Sequence, residues 1–362
     1  MRLTRPLSVA RVCALLLGVS VAFSGSVHAA PQTKKSTTKT TSTTAKKSSS
    51  AKKPTYSANS SAARKARLAR ARVAARAREQ ARLRQLRQLQ EIMTPRLKAD
   101  ETGAMVPDIR AAAAIIFNPE TGQVLWEENA QDKRSIASIT KVMTAMVFIE
   151  DNPDLSQEIT IERSDVYAAS TTFLRANERV TLGNVLHLTL IASDNAAARA
   201  LARVSHGGSA AFIERMNEKA LELGLESTSF ADPSGLNPEN ISSAYDLSRL
   251  ISFASADERL APIMRTAEYK VSTSRRTFSI HSTNRLLTGS DFDVMGGKTG
   301  FISKAGYCLA TLLRLPQSNQ SVAVVVLGAT SNQGRFWETR HLFSWLSERA
   351  TDLFAKDQQK PQ

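Results

Sequence analysis

The sequence predicts an α+β domain: an antiparallel sheet assembled from both ends of the domain, covered by helices and accompanied by a helical lobe. Three patterns predict it. Strand-like runs open the domain at 112–117 and 124–128, strand-like runs return from residue 269 onward, and helical periodicity dominates from 182 to about 256 between them. The folded part is read as 106–354, about 250 residues, enough for a substantial core. No internal repeat is present in it.

Taken in order, the turn-rich Asn118-Pro119-Glu120-Thr121-Gly122 joins the first two strands. Residues 138–150 place Ile139, Val142, Met143, Met146, Val147 and Ile149 at helical spacing, which predicts a helix with one buried face. An apolar run at 185–192 and a helix at 196–204 flank a tight connection. The segment 209–223 reads as a helix with Ser209 as N-cap and Gly224 just past its end. Strands are expected at 269–273, 276–280, 294–300, 307–313 and 321–327. A last helix at 334–353 is expected to bury Phe336, Trp337, Leu342, Phe343 and Trp345.

Outside this domain the chain changes character. Residues 1–30 read as an export signal: Arg2, Arg5 and Arg11, then a short apolar run, then Val27-His28-Ala29 before Ala30 as a cleavage site. The apolar run is shorter than the roughly 20 residues a spanning helix needs. Residues 31–61, rich in Ser, Thr, Lys and Ala, cannot bury enough surface to offset chain entropy and are expected to be disordered. Residues 62–105 form a basic, Ala/Arg-rich and helix-prone linker. Leu83, Leu86, Leu89 and Ile92 give it a thin apolar stripe, closer to a solvated spacer than to a membrane-lying helix. Residues 355–362 are a polar tail.

Charge is partitioned along the chain. Residues 31–99 carry 19 Lys/Arg against Glu79 and Glu91, a net of +17, and the export signal adds +3. That leaves −5 of the overall +15 for residues 100–362. A basic arm of this kind points first to nucleic acid, but an exported protein does not meet it. An anionic wall polymer or membrane surface is the expected partner, with no nucleic acid. The location expected is the periplasm, soluble or peripherally attached. Removal of the signal leaves Cys308 as the only cysteine, so no intramolecular disulfide can form. His and Cys show no metal-ligand spacing, and no metal or cofactor is expected.

Three short motifs carry the chemistry: Ser138-Ile139-Thr140-Lys141, then Ser193-Asp194-Asn195 55 residues later, then Lys298-Thr299-Gly300 after a further 105. Each alone has a plain reading, a helix cap, a turn or a solvated lysine. Their order is what raises them. Ser138 and Lys141, three apart on a helix, share one face. A serine hydroxyl needs a base, and Lys141 can be one if its pKa falls from about 10.4 to near 7. Burial and the charge of Lys298 would both push it there. The Ser193 hydroxyl can relay a proton, and the Asn195 amide can bond both a substrate amide and a lysine amine. Lys298 and Thr299 offer a charge and a hydroxyl to a carboxylate, while Gly300 allows close approach of a ligand backbone. The backbone N–H groups of Ser138 and Phe301 could form an oxyanion hole. No Asp-His pair lies near Ser138 in sequence, so a Ser-His-Asp triad is not supported.

With Ser135–Thr144, Ser193-Asp194-Asn195, Asp232-Pro233-Ser234-Gly235-Leu236 and Gly297-Lys298-Thr299-Gly300-Phe301 in place, residues 106–350 resemble the low-molecular-mass penicillin-binding proteins, the D-alanyl-D-alanine carboxypeptidase/endopeptidase family. Within it the chain is most similar to the penicillin-binding protein 7/8 branch, the D-alanyl-D-alanine endopeptidases. The resemblance implies the penicillin-binding/serine β-lactamase-like transpeptidase fold and a serine DD-peptidase acting on peptidoglycan peptides, with β-lactams as covalent inhibitors. It further implies Ser138 as acylated nucleophile, Lys141 as base, Ser193 and Asn195 as the second element, and Lys298 and Thr299 as carboxylate anchor. The core motifs serve cleavage of D-alanyl–diaminopimelate cross-links and trimming of pentapeptides alike, and the likeness to the endopeptidase branch favours the cross-link. Two rival classes stand beside this reading. A serine β-lactamase lacks its Glu-x-x-Leu-Asn pattern here, and a non-catalytic wall-binding protein would have no need of both lysines.

Overall fold

Long runs of Val, Ile, Leu and Ala, rather than strict alternation, mark the strands of the main sheet, the pattern that burial on both faces demands. The computed structural model describes residues 61–289, 291–316 and 320–357, with side chains between 64 and 349 in those spans. The expected export signal, nearly all of the 31–61 segment and the end of the polar tail lie outside the described residues.

Five antiparallel strands form the sheet, in the order Asp293–Ile302, Gly306–Arg314, Ser321–Ala329, Ala113–Phe117 and Val124–Glu128. The α+β architecture with a sheet drawn from both ends of the domain is therefore what the chain adopts. Successive side chains alternate between the two faces. Ile116, Leu309 and Val324 share one apolar cluster with Phe336, Leu342 and Phe343 of the helix Asn332–Asp357. Ile115, Ala310 and Val325 join the larger core on the other face, where the helix Ala244–Ala256 packs. Each such buried aliphatic or aromatic side chain contributes about 1.5–3 kcal/mol.

The helix Thr140–Glu150 is buried from Thr140 to Ile149, not along one face as the sequence pattern implied. It runs through the middle of the helical lobe, in contact with Leu182–Leu190, Asn195–Val204, Gly208–Glu222 and Ala244–Ala256. A helix surrounded in this way is covered on every side, and its polar Thr140, Lys141 and Thr144 are buried with the rest.

Other elements depart from expectation for local reasons. The helix expected to be capped by Ser209 starts at Gly208, with Gly207 at φ +75° as its N-cap. Gly224, at φ +64°, follows its last turn as expected. The strands Glu268–Ser272 and Thr277–His281 form a separate two-stranded hairpin outside the main sheet. Trp337 and Trp345 are only half-buried: Trp345 donates its ring N–H to the Met105 carbonyl at 3.2 Å, and Trp337 lies under the Arg340 guanidinium at 5.5 Å.

Upstream, Ser61–Met93 is one 33-residue helix with Leu83 and Leu86 exposed and Leu89 and Ile92 partly covered. The hairpin Leu97–Ala99/Met105–Pro107 spans the boundary expected at residue 106. It is tied to the domain by Lys98 on Glu128 at 2.8 Å and by Arg96 paired with Asp108. Arg110 also donates to the Glu91 carbonyl at 2.6 Å. Among the described residues no helix is long and apolar enough to cross a membrane.

Candidate active site

Ser138 sits on a single 3-10 turn, Ala137–Ile139, that runs directly into the buried helix. The turn is entered through Ala137 at φ +49°, a conformation costly for an L side chain and held by its surroundings. Three residues on, Lys141 is fully buried. Its amine lies 2.9 Å from the Ser138 hydroxyl and 2.6 Å from the Asn195 amide oxygen, and it also donates to the Ser234 carbonyl. Burial lowers its pKa to about 7, against the opposing charges of Asp232 and Asp194 and with some help from Arg199. The Lys298 pKa is depressed in turn by its own burial, then by Lys141 and Arg335, so the two buried lysines oppose each other's charge.

Ser193-Asp194-Asn195 divides its work between structure and cleft. Asp194 caps the helix Asn195–Val204 by accepting from the Ala197 N–H at 2.9 Å, and accepts also from Thr172 and the Phe173 N–H. Ser193, at φ +59°, and Asn195 are turned the other way. The Asn195 side-chain N–H donates to the Ala169 carbonyl at 2.7 Å, which fixes the amide with its oxygen towards Lys141. The Ser193 hydroxyl accepts from the Lys298 amine at 2.7 Å. Each lysine is thus paired with its own serine.

The edge strand Asp293–Ile302 supplies Lys298, Thr299, Gly300 and Phe301. A Cβ at Gly300 would lie 2.6 Å from the Ile136 carbonyl oxygen, so this strand can meet the Ser138 turn only through glycine. Lys298 is buried, and Thr299 bonds the Thr283 hydroxyl at 2.6 Å. Phe301 is 48% exposed at the cleft and stacks on Tyr307 with 4.2 Å between ring centroids.

Two contributors were not read from the sequence as parts of the site. The first is the Ser234 carbonyl. Asp232 holds its loop in place, accepting from the Ser234 hydroxyl, the Gly235 N–H and the Asn240 amide at 2.6–2.9 Å. The turn residues of this segment were visible, but a backbone acceptor leaves no residue signature. The second is Arg335, 6% exposed, which reaches from the last helix to the Gly300 carbonyl at 2.9 Å and the Cys308 carbonyl at 3.2 Å. Burial lowers its pKa to about 10. It has no carboxylate partner among the described residues, and no motif marks a lone arginine within a helical repeat.

Ser138, Ser193, Asn195, Thr283, Thr299 to Ile302 and Arg335 line one open cleft of about 440 Å³. One end offers a hydroxyl beside a buried amine able to exchange a proton near neutrality. The other offers Thr299, with Lys298 and Arg335 behind it, to an anion. A carboxylate bound there would favour the charged form of Lys298 against the effect of its burial.

Comparison with known proteins matches this geometry to a family. The sequence profile of the D-alanyl-D-alanine carboxypeptidase family matches residues 100–331. The chain is 32% identical to the D-alanyl-D-alanine endopeptidase of Escherichia coli K12 over 68% of its own length and 81% of the relative's. It is 33% identical to the D-alanyl-D-alanine carboxypeptidase DacF of Bacillus subtilis over 62% and 59% respectively. The crystal structure of the Streptomyces K15 DD-transpeptidase superposes with a TM-score of 0.63 at 29% identity, covering 67% of this chain and 98% of that one. With the family profile spanning well over half of its length, the chain belongs to the D-alanyl-D-alanine carboxypeptidase family of serine DD-peptidases.

Proposed function

We propose that this DD-peptidase acts on peptidoglycan as an endopeptidase, cleaving D-alanyl–diaminopimelate cross-links through an acyl-enzyme on Ser138. The observation that carries the reading is the 2.9 Å contact between the Ser138 hydroxyl and a fully buried Lys141 amine with a pKa of about 7. In the acylation step the Ser138 oxygen attacks the D-alanyl carbonyl carbon and passes its proton to Lys141. The backbone N–H groups of Ser138 and Phe301 receive the developing oxyanion. The C–N bond then breaks, and the leaving amine takes a proton relayed through Ser193. Water hydrolyses the ester and restores the hydroxyl. Lys298 and Thr299, joined by Arg335, hold the carboxylate on the D-centre of the leaving side. A β-lactam acylates the same serine.

Relatives named as endopeptidases, matched over about four fifths of their length, support the cross-link as substrate. A carboxypeptidase acting on terminal D-alanyl-D-alanine is the second reading, supported by relatives named so and by the same anchor. Export to the periplasm rests on the pattern of residues 1–30, and the basic segment before residue 100 is a tether to an anionic wall polymer or membrane surface. The deciding experiment gives purified enzyme both cross-linked muropeptide dimers and pentapeptide monomers. Conversion of dimers to monomers ahead of D-alanine release is expected. Rapid D-alanine release with dimers intact would make it a carboxypeptidase.

A further inference from the structure

A leaving-side carboxylate at Thr299 meets a hydroxyl whose proton is already committed. Thr299 is only 4% exposed, and its hydroxyl donates to the Thr283 hydroxyl at 2.6 Å. A threonine hydroxyl carries one proton, so this bond uses the one Thr299 has. Thr283 lines the same cleft and, half-buried, is the more open of the two. Its hydroxyl accepts from Thr299 and donates to no group among the described residues. The two cations of the anchor stand further back. The Lys298 amine is buried and donates to the Ser193 hydroxyl and the Thr299 carbonyl. Arg335 gives three N–H groups to the Gly300 and Cys308 carbonyls and to the Asn332 side chain. Of the two threonine hydroxyls, the one with a proton left for a ligand is Thr283.

The position is held from two sides. Thr283 follows the strand Thr277–His281, and its backbone N–H donates to the Ile191 carbonyl at 3.1 Å, two residues before Ser193. Its neighbour Asn284 is 2% exposed and lies against the Lys298 strand, where a Cβ at Gly297 would come within 2.6 Å of the Asn284 Nδ2. The backbone at Thr283 is thus fixed between the Ser193 turn and the strand that carries the anchor. From this arrangement we infer that Thr283 is a substrate-binding residue, whose hydroxyl donates to the leaving-side carboxylate while accepting from Thr299 behind it. A hydrogen-bond chain that ends on an anion is polarised along its length, which strengthens each bond. The inference deepens the carboxylate-anchor reading and rests on it. It holds for a cross-link and for a terminal D-alanine alike, since both present a carboxylate there.

The test compares penicillin, which presents a free carboxylate, with its methyl ester, in which that group is masked. Second-order acylation rates are followed by intact-protein mass for the wild type, Thr283→Val, Thr283→Ala and Thr283→Ser, with thermal melting as the check of folding. The wild type should acylate faster with the free acid. The valine and alanine variants should lose about 10- to 100-fold on the acid, the usual worth of a hydrogen bond to a charged group, and little on the ester. The serine variant, which keeps the hydroxyl, should retain most of the acid rate. A role in packing alone would slow both compounds alike. Equal losses on acid and ester, no loss in a folded variant, or a serine variant as slow as the valine one would overturn the assignment. If the wild type takes acid and ester equally, the anchor reading fails first and Thr283 fails with it. A wild type that prefers the acid, with valine and alanine variants that prefer it as strongly, removes Thr283 alone.

Discussion

The backbone carbonyl of Ser234 accepts a hydrogen bond from the Lys141 amine, which couples the proposed base to a loop more than ninety residues away. That loop is held by Asp232, and the same carboxylate is the strongest charge opposing the depression of the Lys141 pKa. Structure and proton affinity at the site therefore depend on one side chain outside it.

Asp232→Asn removes the negative charge and swaps one acceptor oxygen for a donor. Without that charge the neutral form of Lys141 is favoured, so its pKa falls below about 7. The rise of penicillin acylation with pH reports a lysine becoming neutral, and its midpoint should move to lower pH in the variant. The loop should also loosen, at a cost of about 1–3 kcal/mol for a buried hydrogen-bonding group left unpaired. Stopped-flow acylation across pH 5–9 checks the first effect and thermal denaturation the second. A midpoint that moves upward would contradict the role given to Asp232.

Lys141→Met should stabilise the protein while disabling it. The folded-state pKa of about 7 lies below the ordinary lysine value of 10.5, so below pH 7 folding must bury a charged lysine. The penalty is of order 5 kcal/mol there, because each pKa unit corresponds to about 1.4 kcal/mol. Between pH 7 and 10.5 the unfolded chain binds more protons than the folded one, and the penalty fades as pH rises. The melting temperature of the variant should exceed that of the wild type most at pH 6, and the gain should shrink towards pH 10. Acylation should drop by about 10²–10⁴, the usual worth of general-base help.

Ser138→Ala should abolish covalent penicillin labelling and leave the fold intact, since the Ser138 hydroxyl donates only a 3.5 Å contact to the Ser234 carbonyl, and Lys141, which donates to it at 2.9 Å, keeps Asn195 and the Ser234 carbonyl as acceptors. Mass analysis of the intact protein after incubation with penicillin decides it. An adduct that persists in the variant would place the nucleophile elsewhere.

What could be read from the sequence was whatever depends on neighbours in the chain. Ser138 and Lys141 are one turn apart, and Lys298 to Phe301 are consecutive, so their shared placement follows from helix and strand geometry. The strands were legible because burial on both faces gives them continuous apolar runs. The burial of helix Thr140–Glu150 on all sides was not, because polar Lys141 and Thr144 look like a solvated face until their partners Asn195 and the Pro233 carbonyl are placed. Arg335 was invisible for the same reason: its place behind Gly300 is made by the packing of the last helix on the sheet.

The basic helix makes a prediction that depends on ionic strength. Ser61–Met93 carries ten Lys/Arg and two Glu, nearly all exposed. Binding to isolated wall sacculi or to vesicles containing anionic lipid should weaken steeply as salt is raised, because exposed charges are screened within about 8–10 Å near 0.1–0.15 M salt. Replacing Arg64, Arg67, Arg70, Arg72, Arg76 and Arg78 by glutamine should abolish that binding and leave penicillin acylation unchanged. Salt-independent binding would refute an electrostatic tether.

Gly300→Ala tests whether the close approach of the edge strand to the Ser138 turn sets the reactive geometry. The added methyl would meet the Ile136 carbonyl oxygen at 2.6 Å and the Ala137 and Ile139 side chains at 3.3 Å. A backbone oxygen cannot swing aside as a flexible side chain can, so strand or turn must shift. Overpacking of this kind costs about 1–3 kcal/mol in stability. The larger effect should be on rate. The strand carries Lys298, Thr299 and the Phe301 N–H, the turn carries Ser138, and a displacement near 1 Å between reacting groups can cost about 10²-fold. Acylation should therefore fall by more than the loss of stability accounts for, and the drop should persist well below the melting temperature, where the variant is fully folded. If acylation is unchanged in a folded Gly300→Ala protein, the contact between Gly300 and Ile136 is packing alone.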